Sequence, residues 1–234
     1  MARVLVIIPA FNESRTIGRV LDEVRTVPAD LDIVVIDDGS TDHTADEVRK
    51  RGEIVIPLPY NLGIGGAVQT GFRYALRKNY EAAVRIDSDG QHKPGEIPCL
   101  IDAMQRTGAD VIIGSRFLGT AGYTTSPMRR MGVAVFTFIN SMILRQRITD
   151  NTSGFQAFNR RAIRFLAENY PHDFPEPESI VLLSRNGFKI AEVPVCMRER
   201  EHGQSSISRL HGPYYMIKVL LAIFVDLFKE RIES

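Results

Sequence analysis

Two short acidic clusters are the residues of this 234-residue chain best suited to chemistry: Asp37-Asp38-Gly39-Ser40 and Asp87-Ser88-Asp89-Gly90-Gln91. Asp87 and Asp89 are two apart, so in extended backbone their carboxylates point the same way. Like charges that close repel, and a divalent cation relieves the repulsion. Oxygen donors suit Mg²⁺ or Mn²⁺, ions that keep positions open for substrate phosphates. Gln91 continues the alternation with a neutral oxygen. Read alone, the same residues also make a turn, a conformation that Asp, Ser and Gly all favour. A strand-end carboxylate such as Asp38 can take hydrogen bonds from a ribose or a base. Asn61-Leu62-Gly63-Ile64-Gly65-Gly66 has two readings. One is a phosphate cradle at a helix N-terminus. The other, which we favour, is close helix–sheet packing, because the run lacks the Lys-Ser/Thr ending of a P-loop.

The elements that position these acids follow from hydrophobic period. Residues 4–8, 33–36, 54–58, 82–86 and 111–113 are short apolar, β-branched runs, as in strands buried on both faces. Between them, 13–24, 41–51, 64–76 and 97–105 carry helical spacing. Strand and helix in alternation predict an α/β fold, a mostly parallel central sheet with helices on both faces. Both acidic clusters directly follow strands, and in such sheets ligands bind outside the strands' carboxyl ends. Beyond residue 118 the pattern predicts a helix over 131–144, strands over 154–158 and 190–197, a helix over 178–185, a polar loop over 198–208 and an amphipathic helix over 213–228.

Composition narrows the class. Net charge is +1, which gives no global attraction to nucleic acid, and 44% hydrophobic with 24% charged residues is ordinary for a globular chain. The two cysteines, Cys99 and Cys196, are too few for a disulfide framework; they suit a reducing compartment and, as small hydrophobes, a buried place. The run 4–8 is too short for a secretory signal, and no segment reaches the ~20 apolar residues of a membrane span.

The ordered set Pro9-Ala10-Phe11-Asn12-Glu13, Asp37-Asp38-Gly39-Ser40, Asn61-Leu62-Gly63, Asp87-Ser88-Asp89-Gly90-Gln91-His92 and Gly114-Ser115-Arg116 resembles the family 2 glycosyltransferases of GT-A fold. Through Ser153-Gly154-Phe155-Gln156-Ala157-Phe158 and Glu192-Val193-Pro194-Val195 it is similar, more narrowly, to the polyprenyl- and dolichyl-phosphate sugar synthases. The resemblance implies a GT-A domain over 1–210 and a C-terminal amphipathic helix over 211–234. It implies that Pro9, Ala10, Phe11, Glu13 and Asp38 line the base and ribose pocket. Asp87, Ser88 and Asp89 would meet the donor diphosphate, and Asp87, Asp89 and Gln91 would hold the metal. Arg116, Arg130 and Arg200 would face phosphates, Arg130 and Arg200 those of the acceptor; Asp89, Arg116 and Arg200 would be the catalytic set. Arginine suits this because its planar fork matches phosphate oxygens. One departure is Ser206, where such enzymes often carry Lys; another is that the helix over 213–228 stands where some members have membrane spans.

The implied activity is an inverting, metal-dependent transfer from a UDP- or GDP-sugar to a polyprenyl phosphate. A hydroxyl acceptor would need a general base, for which Glu176 and Glu178 are the candidates; a phosphate, already an anion, would not. Those two acids, in Pro175-Glu176-Pro177-Glu178, also read simply as an acidic helix start. The helix over 131–144, bracketed by Arg129, Arg130, Arg145 and Arg147, suits a membrane interface, with core or subunit packing as its other reading. The expectation is a cytoplasmic enzyme, peripheral on the membrane's cytoplasmic face; a homo-oligomer or a separate membrane partner protein stays open. The alternatives are transfer to a hydroxyl of a soluble or polysaccharide acceptor, a nucleotidyltransferase, and a non-catalytic binding module.

Overall fold

Seven strands form one sheet in the order β3-β2-β1-β4-β6-β5-β7 in the computed structural model, which describes residues 3–118 and 148–198. They are β1 (Val4–Ala10), β2 (Leu31–Asp37), β3 (Ile54–Pro57), β4 (Ala82–Arg85), β5 (Val111–Ser115), β6 (Gln156–Asn159) and β7 (Ile190–Pro194). β1 pairs in parallel with β2 and β4, as do β2 with β3 and β5 with β7. Only β6 runs antiparallel, between β4 and β5. The chain steps outward from β1 to β3, then returns to place β4 on β1's other side. That reversal is the switch point at which open sheets bind ligands.

The unbroken apolar runs explain the burial: all seven residues of β1 are buried. On one face lie α1 (Ile17–Arg25), α2 (Thr44–Lys50) and α4 (Ile97–Thr107), which pack Ile17, Leu21, Val48, Ile97 and Leu100 with Val6, Ile8 and Val35. On the other lie α3 (Gly63–Arg77), α5 (Arg160–Asn169) and α6 (Pro175–Arg185), which pack Phe72, Ile163, Leu166 and Ile180 with Leu5, Ile7 and Val34. Each such side chain contributes about 1.5–3 kcal/mol on burial. Glycine permits the closest approach: a Cβ on Gly71 of α3 would stand 2.3 Å from Ile7 Cγ2 of β1. Within the glycine run itself, Gly65 also packs closely, but on the segment between α5 and α6 rather than on the sheet: its Cβ would meet the Pro171 carbonyl oxygen at 2.5 Å.

The structure corrects several sequence expectations. α1 starts at Ile17, four residues late, because residues 12–16 form a turn: Asn12 has φ 56°, and the Glu13 carbonyl accepts from Thr16 and Ile17. α2 starts at Thr44, where Asp42 accepts from the Thr44 N–H. α5 was not anticipated, although Asn159 caps it by accepting from the Ala162 N–H at 2.9 Å. Cys99 and Cys196 are exposed rather than buried. Cys99 lies off the α4 stripe of Ile97, Leu100, Ala103 and Met104 that faces the sheet. The helices expected over 131–144 and 213–228, and the proposed division at residue 210, lie outside the described residues. Among the described residues no helix is long and apolar enough to cross a membrane.

Candidate active site

The carboxyl ends of β1, β2 and β4 carry the expected residues. Pro9 and Ala10 are the buried last residues of β1, and Phe11 emerges beyond them 44% exposed. A mesh of backbone amides on side-chain oxygens fixes this loop to the one after β2. Asn12 N donates to Ser40 Oγ at 2.9 Å, Glu13 N to Thr44 Oγ1 at 2.9 Å, and Ser14 N to Asp42 Oδ2 at 3.2 Å. In return Asn12 Oδ1 accepts from Thr41 N at 2.8 Å. The Glu13 carboxylate accepts from Thr16 Oγ1 at 2.7 Å. Asp38 is buried, and its two oxygens accept from the N–H groups of Leu62 and Gly63 at 2.7 and 2.9 Å, anchoring the start of α3. Burial pushes its carboxyl above the usual carboxylate range, more than those two amides lower it.

Past β4 the chemistry becomes ionic. Arg85 ends β4 and is buried to 1% exposure; Asp87 follows two residues on, and Ser88 and Asp89 form a turn rather than continuing the strand, so the turn reading of this cluster holds. Arg85 Nη2 donates to Glu176 Oε1 at 2.6 Å and lies 3.4 Å from Asp87 Oδ1; its Nη1 donates to Tyr170 Oη at 3.1 Å. His92 Nδ1 accepts from the Asp87 N–H at 2.9 Å, so the neutral ring carries its proton on Nε2, which lies 3.8 Å from Asp87 Oδ2. The ring stacks on Phe155 at 5.1 Å. Burial, opposed by Asp87 and Asp89, holds the imidazole below its ordinary pKa. Burial alone would raise the Asp87 carboxyl, but His92 once protonated, together with Arg85 and Arg116, outweighs it and holds the group low. Gly154 seats this carboxylate: a Cβ there would stand 2.8 and 2.9 Å from its two oxygens.

Arg116, after β5, is gripped by Asp150. Its Nε donates to Oδ2 at 2.7 Å and its Nη2 to Oδ1 at 2.6 Å, a bidentate pair with the carboxylate fully buried. Glu192 of β7 supports it from below by accepting from the backbone N–H groups of Thr149 and Asp150 at 2.8 and 2.9 Å. Gln91 ties the acidic loop to the segment after β7: its carbonyl accepts from Arg198 N at 2.9 Å, and its Nε2 approaches the Arg198 carbonyl at 3.4 Å. The Arg198 guanidinium in turn grips Glu23 of α1 at 2.7 and 2.8 Å.

The structure thus brings Asp87, Ser88, Asp89, Gln91 and Arg116 to one edge, near Pro9, Ala10, Phe11, Glu13 and Asp38. Ser88 and Asp89 are buried to 6% and 5% exposure. Arg130 and Arg200 lie outside the described residues. Sequence reading missed Arg85, Tyr170, Asp150 and the role of Gly154. One signal was present for Arg85, an arginine at the end of an apolar strand and two residues before Asp87. Among the described residues, no three or more His, Cys, Asp or Glu side chains gather as a metal cage. A carboxylate pair in which Asp87 keeps 37% of its side chain exposed fits a Mg²⁺ or Mn²⁺ ion whose other positions take water and phosphate oxygens.

Comparison with known proteins identifies the family and the fold. Residues 5–166 match the glycosyl transferase family 2. The undecaprenyl-phosphate mannosyltransferase of Micrococcus luteus is 31% identical over 88% of this chain and 88% of its own length. The polyprenol monophosphomannose synthase of Mycolicibacterium smegmatis is 32% identical over 93% of this chain and 85% of its own. Glucosyl-3-phosphoglycerate synthase from Mycobacterium tuberculosis, crystallised with Mn²⁺, UDP-glucose and phosphoglyceric acid, has a TM-score of 0.73 at 21% identity, covering 96% of this chain and 79% of that one. That last likeness bears on the fold, which is GT-A.

Proposed function

This chain belongs to glycosyl transferase family 2, and we propose that it moves a hexose from a nucleoside diphosphate sugar to a polyprenyl phosphate, inverting the anomeric carbon. The observation that carries the acceptor is the state of Glu176. Its Oε1 is held 2.6 Å from the buried guanidinium of Arg85. That oxygen is already engaged as an acceptor and is not free to receive a hydroxyl's proton, whereas a nucleophile that is already an anion needs no base. The names of the two bacterial relatives, both transferases to lipid phosphates, support the same reading.

In this scheme a phosphate oxygen of the acceptor forms the new bond to the anomeric carbon as the bond to the diphosphate oxygen breaks. Asp87 and Asp89 would hold Mg²⁺ or Mn²⁺, which supplies Lewis-acid neutralisation of the leaving diphosphate. The loops after β1 and β2 give the base and ribose a rigid wall, with Phe11 offering an exposed ring. Arg116, oriented by Asp150, would add positive potential for the diphosphate; it acts on Asp87 with that sign. Ser88 and Gln91 complete the acidic loop, and Arg130 and Arg200 would meet the acceptor phosphate. Work on a lipid places the enzyme at a membrane surface, which flotation with anionic vesicles would test.

The decisive experiment is a turnover screen. The purified chain is given Mn²⁺ or Mg²⁺, a panel of UDP- and GDP-sugars, and a polyprenyl phosphate, with Asp89→Ala alongside. The expected result is glycolipid from one donor, lost in the variant. Transfer to 3-phosphoglycerate or to a sugar hydroxyl, with the lipid phosphate inert, would overturn the acceptor assignment.

A further inference from the structure

We propose that Arg85 is a positioning residue that acts through Asp87 to make the carboxylate pair a poor site for a lone divalent cation and a good one for a cation accompanied by a nucleoside diphosphate. The inference rests on the reading of Asp87 and Asp89 as metal ligands. Arg85 is not part of the acidic motif, yet it stands directly behind it. Its guanidinium is 2% exposed and lies 3.4 Å from Asp87 Oδ1. Arginine does not lose its proton in proteins, so this is a permanent positive charge. Any cation that Asp87 ligates must share the carboxylate with that charge, a few ångströms away and shielded from solvent. Arg116 acts on Asp87 with the same sign. A divalent ion alone therefore meets a site whose negative charge is already partly spent. A diphosphate brings its own negative charge, and for that ligand Arg85 changes from a penalty to an attraction. By reciprocity, the metal strengthens nucleotide binding as much as the nucleotide strengthens metal binding.

Glu176 sets how strongly Arg85 bears on Asp87. It holds the shared Nη2 at 2.6 Å, closer than Asp87 does. The arginine thus leans toward α6, with Tyr170 fixing its Nη1 at 3.1 Å. Gly154 closes the arrangement, because a Cβ there would stand 3.2 Å from Arg85 Nη2 and under 3 Å from both Asp87 oxygens. Removing Arg85 or Glu176 should then move metal affinity in opposite directions. A role confined to holding the fold together would move both the same way.

The test measures Mn²⁺ binding by electron paramagnetic resonance, with and without UDP or GDP, in the wild type, Arg85→Met, Arg85→Lys and Glu176→Gln. Circular dichroism checks that each is folded. The wild type should bind Mn²⁺ about tenfold tighter or more with its matching nucleoside diphosphate than alone. Arg85→Met should bind lone Mn²⁺ about tenfold tighter than the wild type and show less gain from the nucleotide, whereas Glu176→Gln should bind it several-fold weaker. Arg85→Lys, which keeps the charge, should stay near the wild type. If Arg85→Met does not fold, the paired variant Arg85→Met/Glu176→Gln replaces it and should still bind lone Mn²⁺ tighter than the wild type. Weaker Mn²⁺ binding in both single variants, or none of these shifts in folded protein, overturns the inference while leaving the metal site standing. No Mn²⁺ binding by the wild type with either nucleotide overturns both.

Discussion

The two halves of the ligand edge are held by different forces. After β1 and β2, the loops carrying Phe11, Glu13 and Asp38 are fixed by backbone N–H groups on nearby side-chain oxygens, such as Asn12 on Ser40 and Leu62 on Asp38. After β4 and β5, the side chains are fixed by full charges in contact: Arg85 with Glu176 and Asp87, Arg116 with Asp150. The first arrangement determines shape through neutral donors, even where its acceptors are the carboxylates of Asp38 and Asp42. The second determines potential, and each member is costly to leave alone. A nucleotide sugar needs both, a shaped wall for a neutral base and ribose and a tuned charge balance for a diphosphate.

The largest test of this difference is Asp150→Asn. Asp150 is fully buried and takes both prongs of Arg116. Breaking a buried pair from one side costs about 3–5 kcal/mol, because the other charge is left uncompensated. Urea unfolding should show a loss in that range, with Arg116→Met/Asp150→Leu recovering most of it. If Asp150→Asn costs no more than the Asp38 variant below, the two halves are not held differently. Next comes Gly154→Ala. No left-handed angle demands glycine there, so only space does, and the added Cβ displaces the Asp87 carboxylate. Misplacement of about 1 Å can lower turnover about a hundredfold, and the expected result is that loss with a small change in melting temperature. Gly39→Ala is the mirror case. At φ +72° and with a Cβ 2.7 Å from the Tyr60 carbonyl carbon, it should lose stability first. Asp38→Asn is smaller again. An amide can accept only through its one oxygen, so one of the bonds to Leu62 and Gly63 is lost, at about 1 kcal/mol as for a helix cap. Chemical denaturation reads this directly.

The same division explains how much the sequence disclosed. The mesh around Asn12, Ser40 and Thr44 lies in loops that directly follow two unmistakable strands, and the acids after β2 and β4 could be placed on the functional edge from hydrophobic period alone. The ionic half joins residues far apart in the chain: Arg85 meets Glu176, and Arg116 meets Asp150. No local pattern pairs them, because the pairing depends on β6 inserting antiparallel between β4 and β5. That insertion delivers the segment of Asp150 and Gly154 to the carboxyl ends of its neighbours. The α5 helix escaped notice for a different reason. Its apolar positions Ala162, Ile163, Phe165 and Leu166 are interleaved with Arg160, Arg161 and Arg164, and the charges mask the stripe.

The smallest expected effect separates the halves by sign rather than size. Burial, only partly offset by Leu62 and Gly63, raises the folded pKa of Asp38. A carboxyl raised in the fold contributes stability below its unfolded value, about 3.9, and loses it as pH climbs through the folded value. The deficit of Asp38→Asn relative to the wild type should therefore narrow as pH rises from about 4. For Asp87, burial is outweighed by protonated His92, Arg85 and Arg116, and the folded pKa is depressed. Its contribution is present above the unfolded value and is lost as pH falls through the folded one, so the deficit of Asp87→Asn should widen as pH rises toward about 4. Urea denaturation of both variants and the wild type across this range, in chelator to exclude metal, reads the two slopes. Slopes of opposite sign in adjacent windows mean that burial leaves Asp38 reluctant to ionise despite its amide bonds, while positive charges hold Asp87 ionised. Slopes of the same sign would mean that one kind of force governs the whole edge.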